Sequence, residues 1–282
     1  MPNQCRQHQE GLQSGTRLDR QGEPEHIRPM LLALDIGNTD IVCGVFEGRK
    51  LSSTFRMRSQ PGKTEDEYAA TLLPLLAERG HSLKDIQRSV MSSVVPTLSP
   101  IMAGLCSRLF GAAPTVLGPA LYGQLPLQLP SPRQIGSDLV ANALAAFSTA
   151  GGAAIVADFG TALSFTAVAA DGRVLGVTIA PGLATAVSSL TRHTAQLPEV
   201  ELEAPAQVIG TDTVMSIQAG VMHGYAGLVM HLVSRIRAEM GIPATVIATG
   251  GLCGKIAPLV DCFDRIDQDL TLLGLAIVAE YT

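Results

Sequence analysis

The chain has no tryptophan, and aromatic residues make up only 4% of its 282 residues. Proteins that bind single-stranded nucleic acid use aromatic rings on which bases stack, so this scarcity argues against such a surface. The net charge of −5 likewise gives no basis for binding nucleic acid or an anionic membrane. No uninterrupted apolar run is long enough to cross a bilayer. We therefore expect neither nucleic acid nor a membrane as a partner.

The five cysteines form no CxxC pair and lack the spacing of zinc ligands. Reduced thiols in a cytoplasmic protein are the simplest interpretation. Hydrophobic residues make up 46% of the chain and charged residues only 16%, a balance typical of a well-buried globular enzyme rather than a disordered chain. A chain of this length has room for two modest domains, each with its own core.

The first 29 residues differ in composition from everything after them. They are rich in Gln, Arg, Glu and Gly, contain few large apolar residues and lack the apolar region of a secretory signal. We interpret residues 1–29 as a disordered tail that precedes two lobes, 30–150 and 151–282. Met30 directly precedes the first predicted strand, so the choice between Met1 and Met30 as the biological start is open.

One pattern occurs twice in the rest of the chain. The sequence around Asp35 reads Leu-Leu-Ala-Leu-Asp-Ile-Gly-Asn-Thr, and the sequence around Asp158 reads Ala-Ile-Val-Ala-Asp-Phe-Gly-Thr-Ala. Each stretch is followed by an apolar run, a turn glycine and another strand. The spacing from the aspartate to the turn glycine, Gly48 or Gly172, differs by only one residue between the two copies. Such a repeat predicts two similar lobes that face a shared cleft.

The repeated Asp-x-Gly turn is suited to binding phosphate and a cation. The carboxylate lies at a sheet edge, the glycine lets a phosphate approach the backbone, and Asn38, Thr39 and Thr161 can donate hydrogen bonds. Mg²⁺ prefers one or two carboxylates together with water and substrate phosphates, which one Asp per lobe would supply. A single copy is better explained by a tight hairpin turn. The repetition favours a phosphate site, since a hairpin turn does not require a copy in the other half.

Local patterns predict an α/β protein with two sheets. Strands are predicted over 31–36, 41–46, 51–58, 89–95, 115–117, 153–158, 162–170, 173–180 and 244–249. Helices are predicted over 65–79, 99–110, 136–151, 183–195, 212–240 and 271–281. Thr64 and Glu67 form a capping-box pattern before the first helix. The proline-rich stretch 119–132 is expected to be stiff and extended.

At this point the chain resembles a known family. Its two Asp-x-Gly turns and a late Thr-Gly-Gly turn are similar to those of the sugar kinase, chaperone ATPase and actin superfamily, and within it the chain resembles type III pantothenate kinase. The segments that carry the resemblance are Asp35-Ile36-Gly37-Asn38-Thr39, Gly62-Lys63-Thr64, Ser92-Ser93-Val94-Val95-Pro96, Asp158-Phe159-Gly160-Thr161-Ala162, Ala180-Pro181-Gly182, Leu197-Pro198, Ile209-Gly210-x-x-Thr213 and Ala248-Thr249-Gly250-Gly251-Leu252. They occur in the family's order from about residue 30 to the C-terminus. The resemblance implies two lobes of a duplicated ribonuclease H-like, actin-like ATPase fold with mixed sheets.

The resemblance also implies an activity, the ATP-dependent phosphorylation of pantothenate to 4'-phosphopantothenate, which begins coenzyme A biosynthesis. The implied ATP-binding residues are Asp35, Ile36, Gly37, Asn38, Thr39, Asp40, Ile41, Val42 and Thr161. The implied pantothenate pocket is lined by Gly136, Ser137, Asp138, Leu139 and Thr213, and lies at the interface of a homodimer. Asp138 is the implied proton acceptor, Asp35 holds Mg²⁺ through the phosphates, and Asp158 holds a monovalent cation, K⁺ or NH₄⁺. Thr249 and Gly250 occupy the superfamily's adenosine turn.

Asp138 has a second interpretation, as a helix-capping carboxylate. It lies just inside a predicted helix N-terminus, where a capping carboxylate is common and where the helix dipole should lower its pKa. A carboxylate of low pKa is a poor base for an alcohol. We therefore expect Asp138 to orient the hydroxyl and to accept its proton late in a loose transition state.

Several residues depart from the family pattern, and two of them change the charge expected at the site. Leu139 stands where the family has arginine, which removes a cation from the pocket expected to hold the pantothenate carboxylate. Asp40 stands where the family usually has asparagine, and its charge would repel ATP unless Mg²⁺ or a basic group offsets it. These departures leave three hypotheses: a pantothenate kinase with a shifted pocket, a kinase of the same fold for another small alcohol, or a catalytically weak paralogue that binds nucleotide and regulates a partner.

Overall fold

The computed structural model describes residues 30–194 and 197–282. The predicted disordered tail, residues 1–29, lies outside the described residues. The structure therefore does not test that prediction or the choice between Met1 and Met30 as the start. Two five-stranded sheets organise the chain. No helix among the described residues is both long and apolar enough to cross a membrane.

The first sheet contains β1 (Met30–Ile36), β2 (Asp40–Glu47), β3 (Lys50–Arg58), β4 (Ile86–Ser93) and β5 (Thr115–Val116), in the spatial order β3-β2-β1-β4-β5. The second contains β6 (Ala154–Phe159), β7 (Ala162–Val168), β8 (Val174–Pro181), β9 (Thr245–Thr249) and β10 (Arg265–Ile266), in the order β10-β9-β6-β7-β8. In both sheets the first three strands form an antiparallel meander, and the last two run parallel to the first. The predicted repeat is therefore confirmed as a repeat of sheet topology. The exact residue at which one lobe ends stays a prediction.

The helices are α1 (Glu65–Glu78), α2 (Ser99–Phe110), α3 (Pro119–Tyr122), α4 (Ser137–Ala150), α5 (Leu183–His193), α6 (Thr213–Met240), α7 (Cys253–Ile256) and α8 (Leu270–Val278). Short 3₁₀ turns follow at Ala257–Leu259 and Ala279–Tyr281. The capping box before α1 is confirmed, since the Thr64 side chain accepts from the Glu67 N–H while the Glu67 carboxylate accepts from the Thr64 N–H.

Several boundaries differ from the sequence-based predictions. The strand predicted over 89–95 is Ile86–Ser93. The stretch 119–132 is not extended throughout, because Pro119 and its fixed φ begin the short helix α3. The helix predicted over 183–195 ends at His193, and the short elements β10 and α7 were not predicted.

The alternation of side chains along β1 and β6 determines where the two aspartates point. Along β1, Leu32, Leu34 and Ile36 enter one core while Leu31 and Ala33 enter another, which is built with α4 and α8. Because side chains of a strand alternate between its faces, Asp35 shares the face of Leu31 and Ala33.

The corresponding strand of the second sheet repeats this arrangement. Ala154 and Val156 pack in a cluster with residues of α4, so Asp158 lies on the face of β6 that α4 covers. Gly274 of α8 is so close to Ala141 of α4 that a Cβ would clash with the Ala141 carbonyl oxygen. The two helices therefore fill the space between the sheets, and both aspartates face it.

Candidate active site

The two Asp-x-Gly turns meet at one cavity of about 550 Å³. Asp35 near the end of β1 and Asp158 near the end of β6 both line it. The hydroxyls of Thr39 and Thr161, one from each turn, are 3.1 Å apart. The predicted shared cleft between the two copies is therefore present.

Ten of the residues proposed from sequence line this cavity: Asp35, Gly37, Asn38, Thr39, Asp40, Val42, Asp138, Leu139, Asp158 and Thr161. Ile36 and Ile41 are fully buried and pair with each other at the end of the β1–β2 ladder, directly before and after the turn. Gly136 is the N-cap of α4, and the Ser137 hydroxyl accepts a hydrogen bond from the Ser93 N–H at 3.2 Å. These two residues lie beside the cavity wall rather than in it.

Thr213 is not brought to this cavity. It begins α6 and lines a second cavity of about 610 Å³ together with Leu190, Gly210, Asp212 and Ser216. Within one chain, therefore, the residues predicted for the acceptor pocket fall in two places, with Asp138 and Leu139 in the first cavity and Thr213 in the second.

The Asp35 side chain is partly buried in the cavity wall, and this removal from water raises its pKa to about 7. The Ser92 hydroxyl donates to Asp35 Oδ1 at 2.6 Å and opposes that rise, while the nearby charges of Asp138 and Asp158 add to it. A buried carboxylate with only one described donor is costly to ionise. A bound cation would remove that cost.

Asp158 has a similar environment in the second sheet. Burial and the charge of Asp138 raise its pKa to about 6, and a hydrogen bond from Asn142 Nδ2 to Asp158 Oδ2 at 2.8 Å opposes the rise. Its other oxygen, Oδ1, lies directly against the backbone of Gly250. A Cβ at Gly250 would be 2.6 Å from Asp158 Oδ1 and 2.7 Å from the Phe159 nitrogen, and Gly250 has φ of 89°.

Replacing Gly250 by alanine is expected to destabilise the protein by about 1–3 kcal/mol from the left-handed backbone alone. The added methyl should also displace Asp158 and lower the rate of turnover. Urea unfolding and a turnover assay measure the two effects. Gly176→Ala on β8 is a suitable control, because a Cβ there meets no described atom within 4 Å. Wild-type stability in Gly250→Ala would contradict the prediction.

The prediction that the helix dipole lowers the pKa of Asp138 is wrong in its net direction. The helix N-terminus does act as predicted, because the Leu139 N–H donates to Asp138 Oδ1 at 2.8 Å and lowers the pKa. Burial outweighs it, however, and the pKa of Asp138 is raised above its ordinary value. Asp138 is therefore a better proton acceptor than its position in the helix suggested.

Two arginines of β3 contribute to the site, and the sequence analysis missed both. Arg56 is the only Lys or Arg among the described residues that line the cavity, and it lies beside Gly251 in the late glycine turn. Arg58 pairs with Asp40 at 3.7 Å, which provides the basic group that Asp40 requires. They lie two residues apart on one face of β3, where Arg56 is opposite Val42 and Arg58 is opposite Asp40, and both Val42 and Asp40 line the cavity. The alternation of these arginines along the predicted strand was the sequence signal that could have identified them.

The carboxylates of the cavity suit cations that share their coordination with phosphates. Among the described residues, no three His, Cys, Asp or Glu side chains are grouped as a metal site. One partly buried carboxylate from each sheet, with a raised pKa, instead fits a cation completed by phosphate oxygens and water.

Comparison with known proteins agrees with this geometry. The profile of the family described as type III pantothenate kinase matches residues 31–235. The chain is 45% identical over 251 residues to the type III pantothenate kinase of Moorella thermoacetica, which covers 89% of this chain and 99% of that relative. It is 39% identical over 249 residues to that of Myxococcus xanthus, which covers 88% and 97%.

A solved structure supports the fold. The activator of the 2-hydroxyisocaproyl-CoA dehydratase from Clostridium difficile, solved with bound ADPNP, has a TM-score of 0.52 and 13% identity, with coverage of 89% of this chain and 95% of that one. At this identity the likeness concerns the fold alone. With the repeated sheet topology, it confirms the predicted α/β class of two actin-like lobes.

Proposed function

Because the chain belongs to the type III pantothenate kinase family and phosphorylates pantothenate with ATP, we propose that the cavity between the two turns is its active site. The observation that carries this proposal is the meeting of Asp35, Asp138 and Asp158 around one cavity, with the Thr39 and Thr161 hydroxyls in contact across it. The charge of Asp138 raises the pKa of both Asp35 and Asp158, as expected for three carboxylates that line one cavity.

In this proposal the two turns bind the triphosphate. The hydroxyls of Thr39 and Thr161 and the Asn38 amide provide donors at the cleft, and Arg56 provides a positive charge. Arg56 reaches from the first sheet to Gly251 in the late turn of the second. A triphosphate that spans these groups would hold the two lobes together. The pairing of Arg58 with Asp40 reduces the repulsion that Asp40 would exert on it.

Asp138 is the proposed proton acceptor. It begins α4, its carboxylate lines the cavity, and burial raises its pKa. It would accept the proton of the pantothenate hydroxyl as that oxygen bonds to the terminal phosphorus of ATP, while the bond from this phosphorus to the bridging oxygen breaks and ADP leaves. In a loose transition state this transfer comes late, and the earlier contribution of Asp138 is to orient the hydroxyl.

Two cations complete the proposed site. Asp35 would hold Mg²⁺ with the phosphate oxygens, and Asp158 would hold a monovalent cation, K⁺ or NH₄⁺. When bound, these ions neutralise phosphate charge. The support for them is the burial of both carboxylates, each with a raised pKa and no described basic partner within hydrogen-bonding distance.

We further propose a homodimer in which Thr213 of a second copy completes the acceptor pocket. Thr213 lies in a separate cavity of its own chain, so a second copy could bring it to Asp138. A Cβ added at Gly220, Gly224 or Gly227 of α6 would meet no described atom within 4 Å, so packing within the chain does not explain these glycines. Nearby apolar side chains are exposed: Leu190, Val208, Ile209 and Val214. Both features suit a helix face that packs against another copy.

A coupled assay with ATP, Mg²⁺ and K⁺, run with and without pantothenate, tests the proposed function. ADP release only when pantothenate is present supports it. Turnover with another alcohol, or nucleotide binding without turnover, would support the kinase for a different acceptor or the catalytically weak paralogue. Nothing in the similarities to known proteins favours either alternative.

Replacing Leu139 by arginine is expected to lower KM for pantothenate by about 10–150-fold, since a charge-assisted hydrogen bond contributes roughly 1.5–3 kcal/mol. Leu139 lines the cavity beside Asp138, where the added guanidinium could meet the pantothenate carboxylate. Initial rates at varied pantothenate measure the change. Leu139→Met controls for side-chain length, and pantothenyl alcohol controls for the carboxylate. An unchanged KM would mean that the carboxylate is held elsewhere.

A further inference from the structure

Asp158 is held by a chain of two hydrogen bonds that ends on a different helix. Asn142 Nδ2 donates to Asp158 Oδ2 at 2.8 Å, and Asn142 Oδ1 accepts from the Thr271 hydroxyl at 2.8 Å. Asn142 is fully buried, and Thr271 lines the active-site cavity. We propose that Asn142 and Thr271 are positioning residues, which fix the Asp158 carboxylate for the cation and phosphates. This inference rests on the proposed function of the cavity.

The Asp158 carboxylate sets the direction of both hydrogen bonds. A carboxylate accepts only, so Asn142 must present its NH₂ group to Asp158. The opposite orientation of the amide would place its oxygen against the carboxylate. The Asn142 oxygen then faces Thr271, whose hydroxyl donates to it and holds the other end of the amide. Without the Thr271 hydroxyl, the buried amide oxygen loses its donor and Asn142 is held at one end only.

The chain of hydrogen bonds also links three elements of the site. Asn142 lies one helical turn after Asp138 on α4, so both side chains project from the same face of that helix. Thr271 lies near the start of α8, which the close approach of Gly274 and Ala141 fixes against α4. The proton acceptor, the cation-binding carboxylate and α8 are therefore held in one arrangement.

This arrangement leaves one oxygen of Asp158 for a ligand. Oδ2 is engaged by Asn142, whereas Oδ1 lies against Gly250, a residue of the cavity wall, with no described donor bonded to it. Fixing Oδ2 fixes the direction of Oδ1. Residues that orient a metal ligand in this way typically change metal affinity or activity by about 10–100-fold when they are replaced.

The test compares Thr271→Val, which removes the hydroxyl, with Thr271→Ser, which keeps it. We expect the K⁺ concentration for half-maximal activation to rise about 10-fold or more in Thr271→Val. We also expect kcat to fall while KM for pantothenate changes less than about twofold. Thr271→Ser should restore both quantities. Thr71→Val is the matched control, because the Thr71 hydroxyl donates to the Glu67 carbonyl of its own helix and Thr71 does not line the cavity.

A binding measurement supplies a readout that is independent of turnover. Thermal unfolding with a non-hydrolysable ATP analogue and Mg²⁺ is followed as KCl replaces NaCl at constant ionic strength. The stabilisation by K⁺ should require about 10-fold more KCl in Thr271→Val than in the wild type and in Thr271→Ser. Where Thr271→Val does not fold, Thr271→Ala removes the same hydroxyl with a smaller side chain.

The outcomes separate this inference from the proposed function. Equal K⁺ half-maxima and equal kcat in wild type and Thr271→Val would overturn the inference. A wild type that phosphorylates pantothenate equally well in NaCl and KCl would overturn the cation at Asp158 instead. The positioning role is then decided by whether kcat falls in Thr271→Val and returns in Thr271→Ser.

Discussion

Replacing Asp138 by asparagine is expected to lower kcat for pantothenate phosphorylation by about 10²–10⁴-fold, the usual contribution of a positioned acid or base. Asparagine keeps the shape of the side chain and can still contact the pantothenate hydroxyl, but it cannot accept the proton. KM for ATP should not rise, because the substitution removes a negative charge from the cavity. That charge raises the pKa of both Asp35 and Asp158, so without it the two carboxylates ionise more readily for their cations. Steady-state kinetics at saturating ATP measure the loss.

The pH dependence gives the same prediction a second readout. The pKa of Asp138 is raised, so its ionised, proton-accepting form is lost as the pH falls through that raised value. The wild-type kcat should therefore decline on the acid side, and Asp138→Asn should lack the part of that decline that Asp138 causes. Asp66→Asn is a matched control, since Asp66 occupies the same second position of α1 but is exposed. A kcat within a few-fold of wild type in Asp138→Asn would exclude Asp138 as the proton acceptor.

The sequence was sufficient to predict the fold and the meeting of the two turns. The α/β class and the shared cleft follow from local signals, namely strand alternation, turn glycines and a repeat with constant spacing. The actin-like form of the two lobes was implied by the family resemblance. The face that each aspartate occupies is fixed by its position in its strand, so Asp35 and Asp158 could be placed in one cleft before the structure was known. The contact between Thr39 and Thr161 follows from the same repeat.

Other properties of the site depend on contacts between distant parts of the chain. The helix dipole at Asp138 is visible in the sequence, but the burial that outweighs it comes from packing. Asn142 reads as an ordinary helix residue, and only the fold brings it to Asp158 and Thr271. Arg56 was detectable as an alternating residue of β3, yet its closeness to Gly251 needed the arrangement of the two sheets. The separation of Thr213 from Asp138 had no local signal.

Replacing Asp35 by asparagine is expected both to abolish turnover and to stabilise the ligand-free protein at pH 8. The loss of turnover follows from the proposed role of Asp35 in holding Mg²⁺ with the phosphates. The gain in stability follows from burial, which raises the pKa of Asp35 from 3.8 to about 7. At about 1.36 kcal/mol per pKa unit, an ionised Asp35 destabilises the folded state at pH 8 by on the order of 4 kcal/mol.

The sign of the pH effect distinguishes this mechanism from a general change in packing. Between about pH 4 and pH 7 the folded protein holds a proton on Asp35 that the unfolded chain has lost, so wild-type stability falls as the pH rises. Asp35→Asn lacks that contribution, and its advantage over wild type should be large at pH 8 and nearly absent at pH 4. Urea unfolding at both pH values, without nucleotide, Mg²⁺ or K⁺, measures it. Asp171→Asn is the control, because that exposed carboxylate is paired with Arg173 and has a lowered pKa, so its replacement should give no stabilisation. An Asp35→Asn protein no more stable than wild type at pH 8 would mean that the Asp35 charge is compensated in the folded state without any bound cation.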